Sequence, residues 1–97
     1  MIYEMARIEV IKGKEAAFEE AVGQALPLFH RARGCKGVAL HRTIEHPSHY
    51  VLLVQWENLD DHMVHFRDSE DFQGWRNLAG PFFEKPPVVT HTKIAVE

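Results

Sequence analysis

Ninety-seven residues, 45% hydrophobic and 26% charged, suit one globular domain with a single core spanning residues 1–97. A net charge of -3 with scattered basic residues excludes the electrostatic footprint of a nucleic-acid binder and of a membrane-surface protein. The single cysteine, Cys35, excludes an intrachain disulfide and a four-cysteine metal site, and no apolar run reaches the length of a membrane span. With nothing resembling a signal peptide at Met1, the expected location is the reducing cytosol.

Ile2 to Ile11 reads as a strand, with Ala6, Ile8 and Val10 on one side and Tyr3, Met5, Arg7 and Glu9 on the other. The turn Lys12-Gly13-Lys14 opens a helix whose apolar positions, Phe18, Ala21, Val22, Ala25, Leu26 and Phe29, recur at three and four. Pro27 sits inside that pattern, opposite the carbonyl of Gly23, and predicts a bend rather than a break. Gly34 supplies the stop. Val38 to Glu45 is a second strand, and the turn at His46-Pro47-Ser48-His49 pairs it as an antiparallel hairpin with a third, Tyr50 to Glu57.

Asn58 is a candidate N-cap, with Asp60 and Asp61 suited to the positive end of a helix that brings Leu59, His62, Met63 and Phe66 to one face. Ser69 caps a second helical segment with Phe72, Trp75 and Ala79 inward. Gly80-Pro81 ends it, and Pro86-Pro87 leads to a last strand, Val88 to Val96. The order strand, helix, strand, strand, helix, strand predicts an α+β, ferredoxin-like βαββαβ fold: a four-stranded antiparallel sheet with both helices on one face. In the third strand Tyr50, Leu52, Val54 and Trp56 form one apolar side, yet Val51 and Leu53 make the other apolar too. Two helices cover one side only, so a second copy of the chain is expected over the open sheet face, as a homodimer.

Tyr50 to Trp75 concentrates the chemistry: both tryptophans, two of the seven histidines and two of the six phenylalanines within 26 residues. His62 and His65, three apart on a helix, could share a metal, but a site needs a third ligand and no carboxylate stands at an obvious partnering position, so no metal is expected. The Asp60-Asp61 pair is better explained by helix capping than by paired-carboxylate catalysis. His91 alternates against Thr90 and Thr92 and faces either a pocket or a dimer contact, with a structural role favoured.

The strand ending Val54-Gln55-Trp56-Glu57-Asn58, then His62, His65-Phe66, Ser69, Phe72 and Trp75-Arg76, resembles the antibiotic biosynthesis monooxygenase domain family of dimeric α/β-barrel proteins. The tail Gly80-Pro81-Phe82-Phe83, Pro86-Pro87 and His91 adds to the resemblance, which covers nearly the whole chain. It implies a homodimer and, for some members, oxidation of anthrone- or quinol-like aromatics by molecular oxygen without metal or organic cofactor. Other members degrade haem and are similar to one another in an Asn, a Trp and an iron-binding His. Those positions fall on Ala6, Phe66 and Arg76 here, and all three depart from the pattern.

Cofactor-free oxygenation asks a protein to hold an aromatic ring, accept a proton and steady the resulting anion. His62 is the expected base, because an imidazole titrates near neutrality, and Arg76 the group that steadies the anion. Trp56, Phe66, Phe72 and His65 are the expected substrate contacts. A simple core role for Trp56 fits equally well, since aromatic bulk dominates small cores. A non-catalytic ligand-binding or stress-response module on the same scaffold is the alternative, and an aromatic cavity holding His62 and Arg76 would distinguish the enzyme from it.

Overall fold

The computed structural model describes residues 1–97. Its elements are β1 (Ile2–Glu9), α1 (Glu15–His30), β2 (Cys35–Arg42), β3 (His49–Trp56), a π-helical turn (Asp61–Phe66), α2 (Glu70–Ala79), a 3-10 turn (Gly80–Phe82) and β4 (Val88–Thr92). All strand pairings are antiparallel, in the order β2-β3-β1-β4, which gives the ferredoxin-like α+β arrangement. No helix is long and apolar enough to cross a membrane.

Strand alternation sorts the sheet into two faces. Ala6 and Ile8 of β1 pair with Leu52 and Tyr50 of β3, and all four are buried under the helices. Phe18, Val22, Ala25 and Phe29 of α1 press onto them, the three-and-four spacing that the sequence carries. Aromatic rings dominate the core: Phe18 meets Tyr50, and Phe29 meets both Phe66 and Trp75, at centroid separations of 4.9, 5.0 and 5.2 Å. The opposite sheet face carries Tyr3, Met5, Val51 and Leu53, half-exposed with no element of the chain over them.

Local chemistry explains where the segments begin and end. α1 continues through Pro27 to His30, so the proline neither breaks nor ends it, and the Arg31 N–H still donates to the Pro27 carbonyl. Arg31 grips the Asp71 carboxylate with Nε and Nη2 at 2.7 and 2.6 Å, tying the end of α1 to the start of α2 and holding the Asp71 carboxyl below its ordinary range. Ser69 Oγ accepts from the Phe72 N–H, as expected of an N-cap. Asn58 Oδ1 accepts from the Asp61 N–H in the same manner.

Three expectations shift. β2 starts at Cys35 and ends at Arg42, because a register irregularity between Cys35 and Gly37 lets pairing with β3 begin earlier. β4 stops at Thr92, which pairs with Tyr3 one residue from the start of β1. The segment after Asn58 is a π turn, in which the Arg67 N–H reaches the His62 carbonyl five residues back. The wider turn buries Asp61, His62 and Phe66 and leaves Leu59 and Met63, expected inward, 45% and 37% exposed.

Gly34 holds a positive φ of 77°, and its carbonyl accepts from the Glu57 N–H at 2.7 Å. A Cβ there would collide with the buried Asp61 carboxylate. Gly34→Ala is therefore predicted to destabilise the fold by more than about 1 kcal/mol in a urea titration, the left-handed backbone alone costing that much. An unchanged midpoint would contradict this packing.

Candidate functional site

Four elements converge on one carboxylate. Glu4 shares the helix-facing side of β1 with Ala6 and Ile8, and it pairs across the sheet with Val54 of β3 and His91 of β4. Trp56 lies two residues beyond Val54 on the same side, and the π turn lowers His62 onto this corner of the sheet. Glu4, Trp56 and His62 are 5%, 0% and 3% exposed.

The contacts are closely coupled. The Trp56 Nε1–H donates to Glu4 Oε1 at 3.0 Å, and His62 Nε2 lies 3.3 Å from the same oxygen. On its far side, His62 Nδ1 lies 2.8 Å from His91 Nε2. The Trp56 indole and the His62 imidazole stack, with centroids 5.4 Å apart and planes 13° from parallel. Between the two imidazoles, one neutral ring donates its N–H to the other, while His62 Nε2 and Glu4 Oε1 lie within ion-pair distance without forming a hydrogen bond.

Burial sets the proton affinities. It pushes the Glu4 carboxyl up to about 7, against the Trp56 hydrogen bond and the Arg67 charge, which pull it down. Burial also drives His62 down to about 4, reinforced by His91 and Arg67. His91 is lowered as well, by burial first and Arg67 second. At neutral pH both imidazoles are thus uncharged, while Glu4 stands near half-ionisation.

This corner opens into a cavity of about 950 Å³ between the sheet and α2. Glu4 and His62 close its inner end, Phe72 and Trp75 line one wall, and Val89 of β4 lines the other. The guanidinium carbons of Arg67 and Arg76 stand 5.8 and 5.9 Å from the centre of the Phe72 ring, and both residues line the cavity. Ion pairs in the chain engage Arg31, Arg33 and Arg42 but neither of these two. The site therefore offers an aromatic surface, a buried titratable pair and two free cationic groups. No cluster of three His, Cys, Asp or Glu side chains suited to a metal ion is present.

Of the residues singled out from sequence, His62, Phe72 and Arg76 line this cavity together. Trp56 and Phe66 lie behind its surface, packed against His62 at 5.4 and 6.3 Å. His65 is exposed and lines a separate shallow cleft with Arg33, Asn58 and Asp61, because the π turn carries it away from the face of His62. Glu4 and Arg67 join the site without having been picked out, and His91, read as facing either a pocket or a dimer contact, reaches it through His62. Glu4 carried a readable signal, a carboxylate in phase with Ala6, Ile8 and Val10 on the inward side of a strand.

A family model described as antibiotic biosynthesis monooxygenase matches residues 1–78. The uncharacterised protein YczJ of Bacillus subtilis is 36% identical over 91 residues, spanning 94% of this chain and 96% of its own. A crystal structure from Bordetella bronchiseptica, assigned as an antibiotic biosynthesis monooxygenase, is 57% identical with a TM-score of 0.96, covering 98% of this chain and 97% of that one. SnoaB, a cofactor-independent oxygenase from Streptomyces nogalater, shares the fold with a TM-score of 0.84 at 17% identity, over 99% of this chain and 94% of its own.

The buried pair predicts an unusual pH response. Glu4, raised from 4.5 to about 7 in the fold, contributes stability that is full below pH 4.5 and is lost as pH rises towards 7. His62, lowered from 6.5 to about 4, contributes stability that is full above pH 6.5 and is lost as pH falls towards 4. The two slopes oppose each other and nearly cancel in the wild type. Glu4→Gln leaves the His62 slope alone, so thermal denaturation of this variant should show stability rising with pH over that window, by up to about 3 kcal/mol. A flat profile in Glu4→Gln would contradict the burial of a neutral His62.

Proposed function

The chain belongs to the antibiotic biosynthesis monooxygenase family, and on that premise we propose that it oxidises a small anthrone- or quinol-like aromatic with molecular oxygen, without a metal or organic cofactor. The observation that carries this reading is the cavity of about 950 Å³ joining the buried Glu4–His62 pair to the Phe72 ring and to the unpaired Arg67 and Arg76. A flat aromatic substrate packs against Phe72 and Trp75, its acidic C–H or O–H directed at the inner end. Arg76 steadies the anion left when that proton departs.

The atoms balance without an external reductant. An anthrone-type methylene loses two hydrogens and gains one oxygen atom from O2, becoming a carbonyl, and the second oxygen atom leaves with those two hydrogens as water. The substrate supplies all four electrons. The protein's part is to hold the ring, take up the first proton and exclude competing reactions.

The test is oxygen consumption by metal-stripped protein with a panel of anthrones and hydroquinones, corrected for autoxidation. Saturable uptake that survives chelation is expected, with Arg76→Ala lowering kcat by roughly tenfold to a hundredfold as a lost anion-stabilising group. No uptake above background across the panel would favour the ligand-binding module on the same scaffold.

We extend the proposal to the assembly: a second copy of the chain covers the open sheet face, where Tyr3, Met5, Val51 and Leu53 present apolar side chains away from the helices. Family membership supports a dimer of this kind. Leu53→Glu, which places a charge at the centre of that face, is expected to convert a dimer into a monomer in sedimentation velocity. A wild-type protein that sediments as a monomer at micromolar concentration would overturn the arrangement.

A further inference from the structure

Resting on the proposed oxygenation, we infer that Glu4 Oε2 is the atom that takes the substrate's proton, and that His62 positions Glu4 rather than serving as the base.

His62 is poorly placed to take up a proton. Nδ1 is paired with His91 Nε2 at 2.8 Å, Nε2 lies 3.3 Å from Glu4 Oε1, the ring is stacked on Trp56, and the residue is 3% exposed. A proton arriving at His62 would have to displace one of those contacts and charge an imidazole that its surroundings keep neutral. Glu4 is different. Its Oε1 receives the Trp56 N–H, with His62 Nε2 3.3 Å away, while Oε2 enters no hydrogen bond. No fully buried side-chain nitrogen or oxygen in the chain lacks a partner, so Oε2 is within reach of solvent, and Glu4 lines the cavity beside Phe72 and Arg76. One oxygen is held and the other is presented.

The groups facing this carboxylate are few. The π turn contributes His62, with Arg67 just past its end, β4 contributes His91, and the Cys35 thiol at the start of β2 is close enough to feel the Glu4 charge. Of these, Arg67 alone is charged at neutral pH, and it favours the carboxylate. Burial outweighs it and sets the Glu4 carboxyl near 7, where a carboxylate is both available and basic enough to compete for a weakly acidic proton. In the step itself, the substrate C–H or O–H bond breaks, its proton bonds to Oε2, and its electron pair stays on the substrate as the enolate or phenolate. Glu4 later returns that proton to the oxygen atom that departs as water and ends as it began.

Proton abstraction can be read apart from oxygen chemistry. Under strict anaerobiosis in deuterated buffer, exchange of the anthrone methylene protons is followed by NMR with wild type, Glu4→Gln, Glu4→Asp and His62→Gln, each shown to be folded by circular dichroism. The wild type is expected to accelerate exchange, and Glu4→Gln to lose a hundredfold or more of that acceleration. Glu4→Asp should recover part of it. His62→Gln should retain exchange to within about tenfold, with the acidic limb of its pH profile displaced because the group packed against the carboxylate has changed. Exchange retained in Glu4→Gln at close to the wild-type rate would overturn the assignment, as would a wild type that gives no acceleration. Exchange by Glu4 without aerobic oxygen uptake would support the base while removing the oxygenase reading, so the two fail separately.

Discussion

A carboxylate buried among apolar strands has to be held, and the arrangement of this domain around Glu4 is how it is held. Leaving a buried carboxylate without partners costs several kcal/mol. Here the cost is limited on two sides: Trp56 brings a donor to one oxygen with His62 packed beside it, and the carboxyl spends much of its time protonated because burial lifts its proton affinity to about 7. Each partner comes from a different element. β3 supplies the indole, the π turn the imidazole, and β4, through His91, the second contact that fixes the imidazole ring. Displacing any of these elements would leave the carboxylate less well satisfied, so the corner of the sheet and the site share one geometry.

The same constraint links fold to chemistry. The antiparallel register places Glu4 opposite Val54 and His91, and the widened turn at Asp61–Phe66 brings His62 over the sheet where a regular helix would have distributed Leu59, His62, Met63 and Phe66 along one face. Such π insertions are frequent at functional sites because they aim one side chain at the expense of regular packing. Leu59 and Met63 remain outside the core as a consequence. The aromatic layer of Phe29, Phe66 and Trp75 then supports the site from behind, while Phe72 and two unpaired guanidiniums face the opening.

Much of the fold was legible because hydrophobic alternation and turn chemistry are local. The alternation at Ala6, Ile8 and Val10, the hairpin turn before Tyr50 and the Ser69 cap all lie where their patterns indicate. The site was legible in part. His62, Phe72 and Arg76 share the cavity, but the inward direction of His62 was inferred from a regular helix, and a π turn delivers it by a different route while turning His65 away. Glu4 and His91 depend on cross-strand register between β1 and β4, segments more than eighty residues apart in the chain, which no local pattern encodes. Trp56 was read as either core or pocket wall. It is core in its burial, yet its N–H is what anchors the carboxylate at the site.

The most direct test is a pH titration of the Glu4 side-chain carboxyl carbon by NMR, in protein labelled with carbon-13 at glutamate and assigned by comparison with Glu4→Gln. An inflection near pH 7 is the result that burial of this carboxylate requires. An inflection at the ordinary value of 4.5 would mean that the carboxylate is open to water, and the account of this corner as a neutral-pH proton acceptor would fail.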